Sequence, residues 1–456
     1  MDFYPRIRNA WQIMTQNYPW HFMGFLVLVY LLPYLYTVTN IFWVGRISND
    51  AFAITEQYEF IALAINALED FIPVGALVLT AQHFHNNKKI IEILKAALIL
   101  QAALSLCLTV LIIFFNQELI AMVGTPGSIV TPTMEYLVLR SITIPFYLIS
   151  FTLIVTIKSL QKGKEAFLLM AISIALNILL DLLLISNTPV SLQMGVAGIV
   201  IAYLITQIVL TAIAAAYLFP LLKITVRSFL TTPWLQEVFP IVRIGSWSGL
   251  ECAARMLGLL WILIILNGLG TNEYGGFGIA TWIFWILLMP IFAIKQGTSI
   301  LVGNYFSERR YSALLDIVKT SLLVVIVFTL AVVVTGIFWW HHVSLIVNPN
   351  PGMVTYSVAA YSGLIIGFIG YGIGLILRSI FIGTGQTQYI FYTGMIANLG
   401  IILPFFILVQ AGILTPTFPM VMMVYLIASS VDPILVIYWA RKVVAGFPAE
   451  NTGAAS

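Results

Sequence analysis

A few charged and polar residues of this 456-residue chain fall inside long apolar stretches, and they are where chemistry is to be sought. An ionisable side chain in the middle of a bilayer costs roughly 2.5–3.5 kcal/mol to insert and marks a functional site by default. Asn177 and Asp181 lie four apart, so on a helix they share one face. A carboxylate beside an amide in a poorly hydrated cavity can carry a proton, bind Na⁺ through its oxygens, or simply form a structural hydrogen-bonded pair. Glu251 and Arg255 repeat the spacing of four. They read either as an intrahelical ion pair or as an acidic site, at Glu251, for a cationic substrate or Na⁺. Asp432 precedes Pro433, which frees a backbone carbonyl and can kink a helix, and is a second acidic candidate. Glu69 and Asp70 are adjacent acids, and Lys295 reads as the only lysine deep in any apolar run. Tyr36, Tyr136, Tyr361, Trp282 and Trp285 are candidates for an aromatic cavity suited to flat cations.

The elements that position these residues follow from composition. The chain is 61% hydrophobic and 9% charged, whereas ordinary soluble domains are about a quarter charged. Secreted disulfide scaffolds, nucleic-acid-binding modules and soluble enzymes are excluded, and Cys107 and Cys252 lie in apolar runs that imply no disulfide framework. Apolar windows give twelve spans: 20–44, 55–82, 91–115, 136–157, 166–186, 196–219, 240–267, 277–302, 313–338, 357–382, 389–410 and 418–440. All are expected to be helices, because an isolated span satisfies its backbone in lipid only that way. The second is interrupted by Glu56, Glu59, Glu69 and Asp70. Turn signals separate the spans, among them Gly124-Thr-Pro-Gly127, Asn187-Thr-Pro189 and Asn348-Pro-Asn-Pro351.

Basic residues collect on one side of these spans: Arg6, Arg8, Lys88, Lys89, Lys158, Lys162, Lys164, Lys223, Arg227, Arg309, Arg310, Arg378, Arg441 and Lys442. The opposite loops hold no Lys or Arg apart from Arg46 at the end of the first span, so both termini are expected in the cytoplasm. No signal peptide is visible, and the first twenty residues read as a partly amphipathic cytoplasmic segment. Trp339-Trp340 reads as part of an interfacial aromatic belt, and the adjacent His341-His342 as solvated interface histidines rather than a metal site.

The chain also repeats itself. GALVLTAQHF from Gly75 is matched by GTSILVGNYF from Gly297, 222 residues on. Gly163 is matched by Gly385, and Tyr203-Leu-Ile by Tyr425-Leu-Ile, at the same offset. VGRISNDAF after the first span resembles NGLGTNEYGGF after the seventh. Each repeat therefore holds six spans and enters from the same side, which implies a pseudo-two-fold axis along the membrane normal. The expected organisation is an N-terminal lobe over 1–219, a cytoplasmic linker over 220–239, a C-terminal lobe over 240–443 and a flexible tail over 444–456. Two like lobes suit alternating access better than a passive scaffold. The counterparts of Glu69 and Asp70 fall at Ile291 and Phe292, just before Lys295, so Lys295 is expected to pair with one of these acids, either gating the two lobes or simply holding them together.

The pattern as a whole resembles the multidrug and toxic compound extrusion (MATE) transporters of the polysaccharide-exporter superfamily. The resemblance rests on NIFWVGRIS (40–48), GALVLTAQHF, YLVLRSITIPF (136–146), ALNILLDLLL (175–184), GVAGIVIAYLITQ (195–207) and RSIFIGTGQTQ (378–388). It implies an all-α integral membrane protein of twelve helices in two lobes. The implied activity is cation-coupled antiport that exports amphipathic, often cationic, organic compounds. Asn177 and Asp181 match the family's N-lobe asparagine and aspartate, and Asn40 stands where the family usually has aspartate. An amide takes up no proton near neutral pH, but its carbonyl oxygen can coordinate Na⁺. The expected partners are a small organic substrate and the lipid bilayer. No cofactor beyond the coupling ion (H⁺, favoured by Asp181, or Na⁺), no resident metal and no nucleic acid are expected, and the expected assembly is a monomer in a bacterial inner membrane. A lipid-linked saccharide flippase of the same superfamily is the alternative, but it would carry more basic residues in its cavity. An enzyme is not expected, since no HExxH pair, P-loop or serine–histidine constellation occurs.

Overall fold

A computed structural model describes Tyr18–Pro448 apart from Asn49, Gly124, Pro126 and Asn187. Arg6, Arg8, most of the expected tail and parts of two turn signals lie outside the described residues. Those described are almost entirely helical. The helices are α1 (Trp20–Ile47), α2 (Ala51–Glu56), α3 (Glu59–Glu69), α4 (Ile72–Gln82), α5 (Asn87–Phe114), α6 (Asn116–Val123), α7 (Val130–Ser141), α8 (Ile144–Ser159) and α9 (Gly163–Leu184). There follow α10 (Gly195–Leu221), α11 (Val226–Thr231), α12 (Leu235–Leu269), α13 (Thr271–Ser307), α14 (Tyr311–Val347), α15 (Pro351–Gly383), α16 (Gln388–Ala397), α17 (Leu403–Gln410) and α18 (Phe418–Ala445). Among the described residues 11 spans are long and apolar enough to cross a bilayer, and 12 if α7 and α8 count as one bent span. Leu106, Phe114, Leu179, Phe338, Trp339 and Ile346 are exposed, as lipid-facing side chains of an integral membrane protein must be.

Two of the expected spans are broken, and proline accounts for one break in each. Proline at position i has no N–H for the carbonyl at i−4. Pro73 thus frees the carbonyl of Glu69, and the second span divides into α2, α3 and α4, with the last break at Asp70-Phe71. Pro145 frees the carbonyl of Ser141, which accepts instead from Thr109 Oγ1 on α5 at 2.9 Å. The chain bends there by 40° between the α7 and α8 segments. The eleventh span carries a π-turn at Asn398–Ile402, between α16 and α17.

The described residues divide into two compact units, Gly24–Gly249 and Leu250–Pro448 together with Tyr18–Met23. In the first, the N-terminal lobe, α5, α8, α9 and α10 enclose a core of Ile90, Leu94, Ile157, Ala166, Ala214 and Leu218. Beyond α10, Thr225 and Ser228 form a reciprocal capping box that starts α11. In the second, the C-terminal lobe, α15 packs along α13, α14 and α18. Asn350 opens α15 by accepting from the backbone of Gly352 and Met353, with Pro351 in the first turn.

The core corrects the aromatic-belt reading at one residue. Trp340 is buried, packs against Phe284 and Tyr361, and donates from Nε1 to the Ser357 carbonyl at 3.2 Å, while Trp339 faces outward. His341 and His342 are exposed.

Candidate functional site

The polar residues gather into one cluster in each lobe. In the N-terminal lobe, α9 buries Asn177 and Asp181 on one face, with Asp181 wholly inaccessible. Neither carboxylate oxygen of Asp181 is in a well-formed hydrogen bond, nor is Oδ1 of Asn177. Leaving buried acceptors unmatched costs about 1–3 kcal/mol each, and more for a charged group. The polar neighbours of Asp181 are Tyr36 on α1 and Arg140 on α7. Arg140 lays its guanidinium 3.8 Å above the Tyr203 ring, with Tyr58 at 5.2 Å. Asn40, also on α1, likewise keeps Oδ1 buried and unmatched. It lies one turn before Val44, which packs with Leu184 and Ile185 just beyond Asp181, so α1 and α9 are tied together near this level. Orphaned carboxylate and amide oxygens are the donor set of a hard cation, and the carboxylate alone suffices for a proton.

Glu69 ends α3 at the proline-induced break and accepts from the Tyr147 hydroxyl on α8 at 2.7 Å. Lys158, also on α8, is the basic group acting on Glu69. It is buried, with Nζ 5.3 Å from the Tyr30 ring and 5.8 Å from the Phe151 ring. Lys158 is therefore an interior charge and not the loop charge its sequence position suggests. Lys95 is buried as well, donating from Nζ to the carbonyls of Leu230 and Thr232 at 2.8 and 2.9 Å. Lys295 is thus not the only lysine set into a span. It lies on α13 in the C-terminal lobe, where it acts on Glu251.

In the C-terminal lobe, Glu251 and Arg255 on α12 and Asp432 on α18 line one cavity of about 150 Å³. Tyr371 and Arg378 on α15, Trp285 on α13, Asn398 of the π-turn and Tyr425 on α18 contribute to its polar and aromatic wall. By sequence position Arg378 counts among the orientation charges. It is instead 3% exposed and joins the two acids: Nη1 donates to Glu251 Oε1 at 3.1 Å and Nη2 to Asp432 Oδ1 at 2.5 Å. Arg255 Nε stands 3.6 Å from the same Glu251 oxygen. Three helices are thereby joined by one guanidinium, whose planar fork can serve two carboxylates at once. Gly394 makes room for this arrangement, since a Cβ there would stand 2.5 Å from Glu251 Cγ. Of the aromatic candidates, only Trp285 lines this cavity. Tyr361 packs with Trp340, Tyr136 is in the N-terminal core, Tyr36 neighbours Asp181 and Trp282 is exposed.

The MatE family profile matches residues 26–183 and 249–408, once in each repeat. The multidrug export protein MepA of Staphylococcus aureus (strain bovine RF122 / ET3-1) is 22% identical over 388 residues, 80% of this chain and 81% of that protein. The probable multidrug resistance protein YpnP of Bacillus subtilis (strain 168) is 25% identical over 197 residues, so the matched region spans 42% of this chain and 42% of YpnP. The fold superposes on an outward-facing MATE family transporter of the MOP superfamily with a TM-score of 0.85, at 19% identity, covering 96% of this chain and 98% of that one. With one profile match in each repeat, together covering well over half of its length, the chain belongs to the MatE family.

Proposed function

We propose that the protein is a secondary antiporter that exports amphipathic organic compounds in exchange for H⁺ or Na⁺ by alternating access. The observation that carries this reading is the set of buried, unmatched oxygens on Asn40, Asn177 and Asp181 within a transporter fold. Asp181 is the group to carry the proton or ligate Na⁺, and the two amides supply further carbonyl oxygens. The organic substrate is assigned to the C-terminal cavity at Glu251, Arg255 and Asp432, whose aromatic wall suits a flat, largely apolar ligand. Relatives named for multidrug export and multidrug resistance support an efflux role. The natural setting is a bacterial inner membrane, with both termini in the cytoplasm and a monomer as the working unit.

A lipid-linked saccharide flippase is disfavoured by the same cavity. Its two arginines each face a carboxylate, which leaves no cationic cradle for pyrophosphate. The test is an Asp181→Asn protein in proteoliposomes. It is expected to lose gradient-driven accumulation of dye while retaining dye binding; uphill transport at the wild-type rate would remove Asp181 from the coupling role.

A further inference from the structure

A lipophilic cation is best held by an uncompensated carboxylate backed by aromatic faces. The C-terminal cavity has the aromatic faces, Trp285 and Tyr371 among them, but not the uncompensated carboxylate. Arg378 holds one oxygen of each acid, and Glu251 also faces Arg255. The charged side chains of the wall are thus two carboxylates and two guanidiniums, which sum to zero. Lys295, outside the wall, acts on Glu251 in the same sense as the arginines. A cation entering this cavity would meet no net attraction and would have to compete with a buried guanidinium for either acid.

The ion cluster is nonetheless incomplete. Asp432 Oδ2 and Arg378 Nε are both buried and without a hydrogen-bond partner, on residues 5% and 3% exposed. One acceptor and one donor therefore remain to be satisfied in the wall of this aromatic-lined cavity. The match for such a wall is a ligand that is flat, carries no net charge, and offers both a donor and an acceptor.

We propose that the C-terminal cavity binds aromatic compounds of zero net charge, zwitterions above all, and that Arg378 is the specificity residue that turns away permanent cations. The proposal rests on the efflux reading for its biological use but not for its test, which measures binding without any ion gradient. Three acridine probes of matched size serve: an N-methylacridinium cation, its carboxylate-bearing zwitterion and an acridine carboxylate anion, titrated into detergent-solubilised protein. The wild type is expected to bind the zwitterion at least tenfold more tightly than either ion, and Trp285→Ala to weaken that binding at least fivefold.

Arg378→Gln leaves two carboxylates facing one arginine and is expected to reverse the order in favour of the cation. Arg378→Gln combined with Asp432→Asn restores a zero sum and is expected to bind the cation no better than the wild type does. Cation binding by the wild type as tight as zwitterion binding overturns the proposal without recourse to any variant, and so does zwitterion binding indifferent to Trp285→Ala. Efflux that no ion gradient drives, with the zwitterion preference intact, would instead overturn the antiport reading alone.

Discussion

Replacing Arg378 by methionine removes the one group that serves both acids of the C-terminal cavity, and its cost follows from how each acid is left. The Asp432 side chain is 6% exposed, and among the described residues Arg378 is its only ion-pair partner. Deleting one member of a buried pair costs about 3–5 kcal/mol, because the other charge stays buried and uncompensated. Glu251 fares better, since it keeps Arg255 Nε at 3.6 Å on a side chain 23% exposed, a weaker but surviving interaction. Asp432 should therefore dominate the loss.

For a lobe of this size, about 4 kcal/mol corresponds to a fall of about 8–16 °C in apparent Tm. The assay is thermal unfolding of purified protein in one detergent at one pH, for Arg378→Met alone and combined with Asp432→Asn or Glu251→Gln. The Asp432→Asn combination is expected to recover most of the lost Tm, and the Glu251→Gln combination clearly less. Equal recovery by the two, or an Arg378→Met protein within about 1 °C of wild type, would refute the assignment of Arg378 as the compensating charge.

Gly394→Ala should press the new methyl onto Glu251 and cost about 1–3 kcal/mol by overpacking. Gly400→Ala, whose methyl meets only Ile396 Cγ2 at 3.9 Å, should leave the apparent Tm nearly unchanged. Lys95→Met should remove two charge-assisted bonds to the carbonyls of Leu230 and Thr232, about 3 kcal/mol together, and loosen α11 and its connection to α12. Tryptic cleavage at Arg227 is the readout, expected to quicken at least tenfold.

Much of the architecture is legible in the sequence because apolar runs and their repeat are local or periodic signals. The spans that became α1, α5, α9 and α10, and all of α12 to α15, read directly from hydropathy. The breaks do not, because a window of about 19 residues averages across them. Pro73 and Pro145 carry the information, but whether a proline kinks a helix or starts a new one depends on what satisfies the freed carbonyl. For Ser141 that is Thr109, 32 residues away.

Charges near span ends are ambiguous for a related reason. A lysine or arginine one turn from an end can extend to water or fold inward. Lys158 and Arg378 fold inward because aromatic rings and carboxylates meet them there. Arg378 meets Glu251 across 127 residues of chain and Asp432 across 54, separations that no spacing rule covers. Asn177 with Asp181 and Glu251 with Arg255 were visible because each pair is four apart on one helix.

The most direct test of coupled export is substrate efflux from proteoliposomes under separately imposed H⁺ and Na⁺ gradients, with the membrane potential clamped. Coupled export predicts efflux accelerated by one inward cation gradient and abolished when that gradient is collapsed. Efflux that proceeds at one rate under either gradient and under none would contradict it.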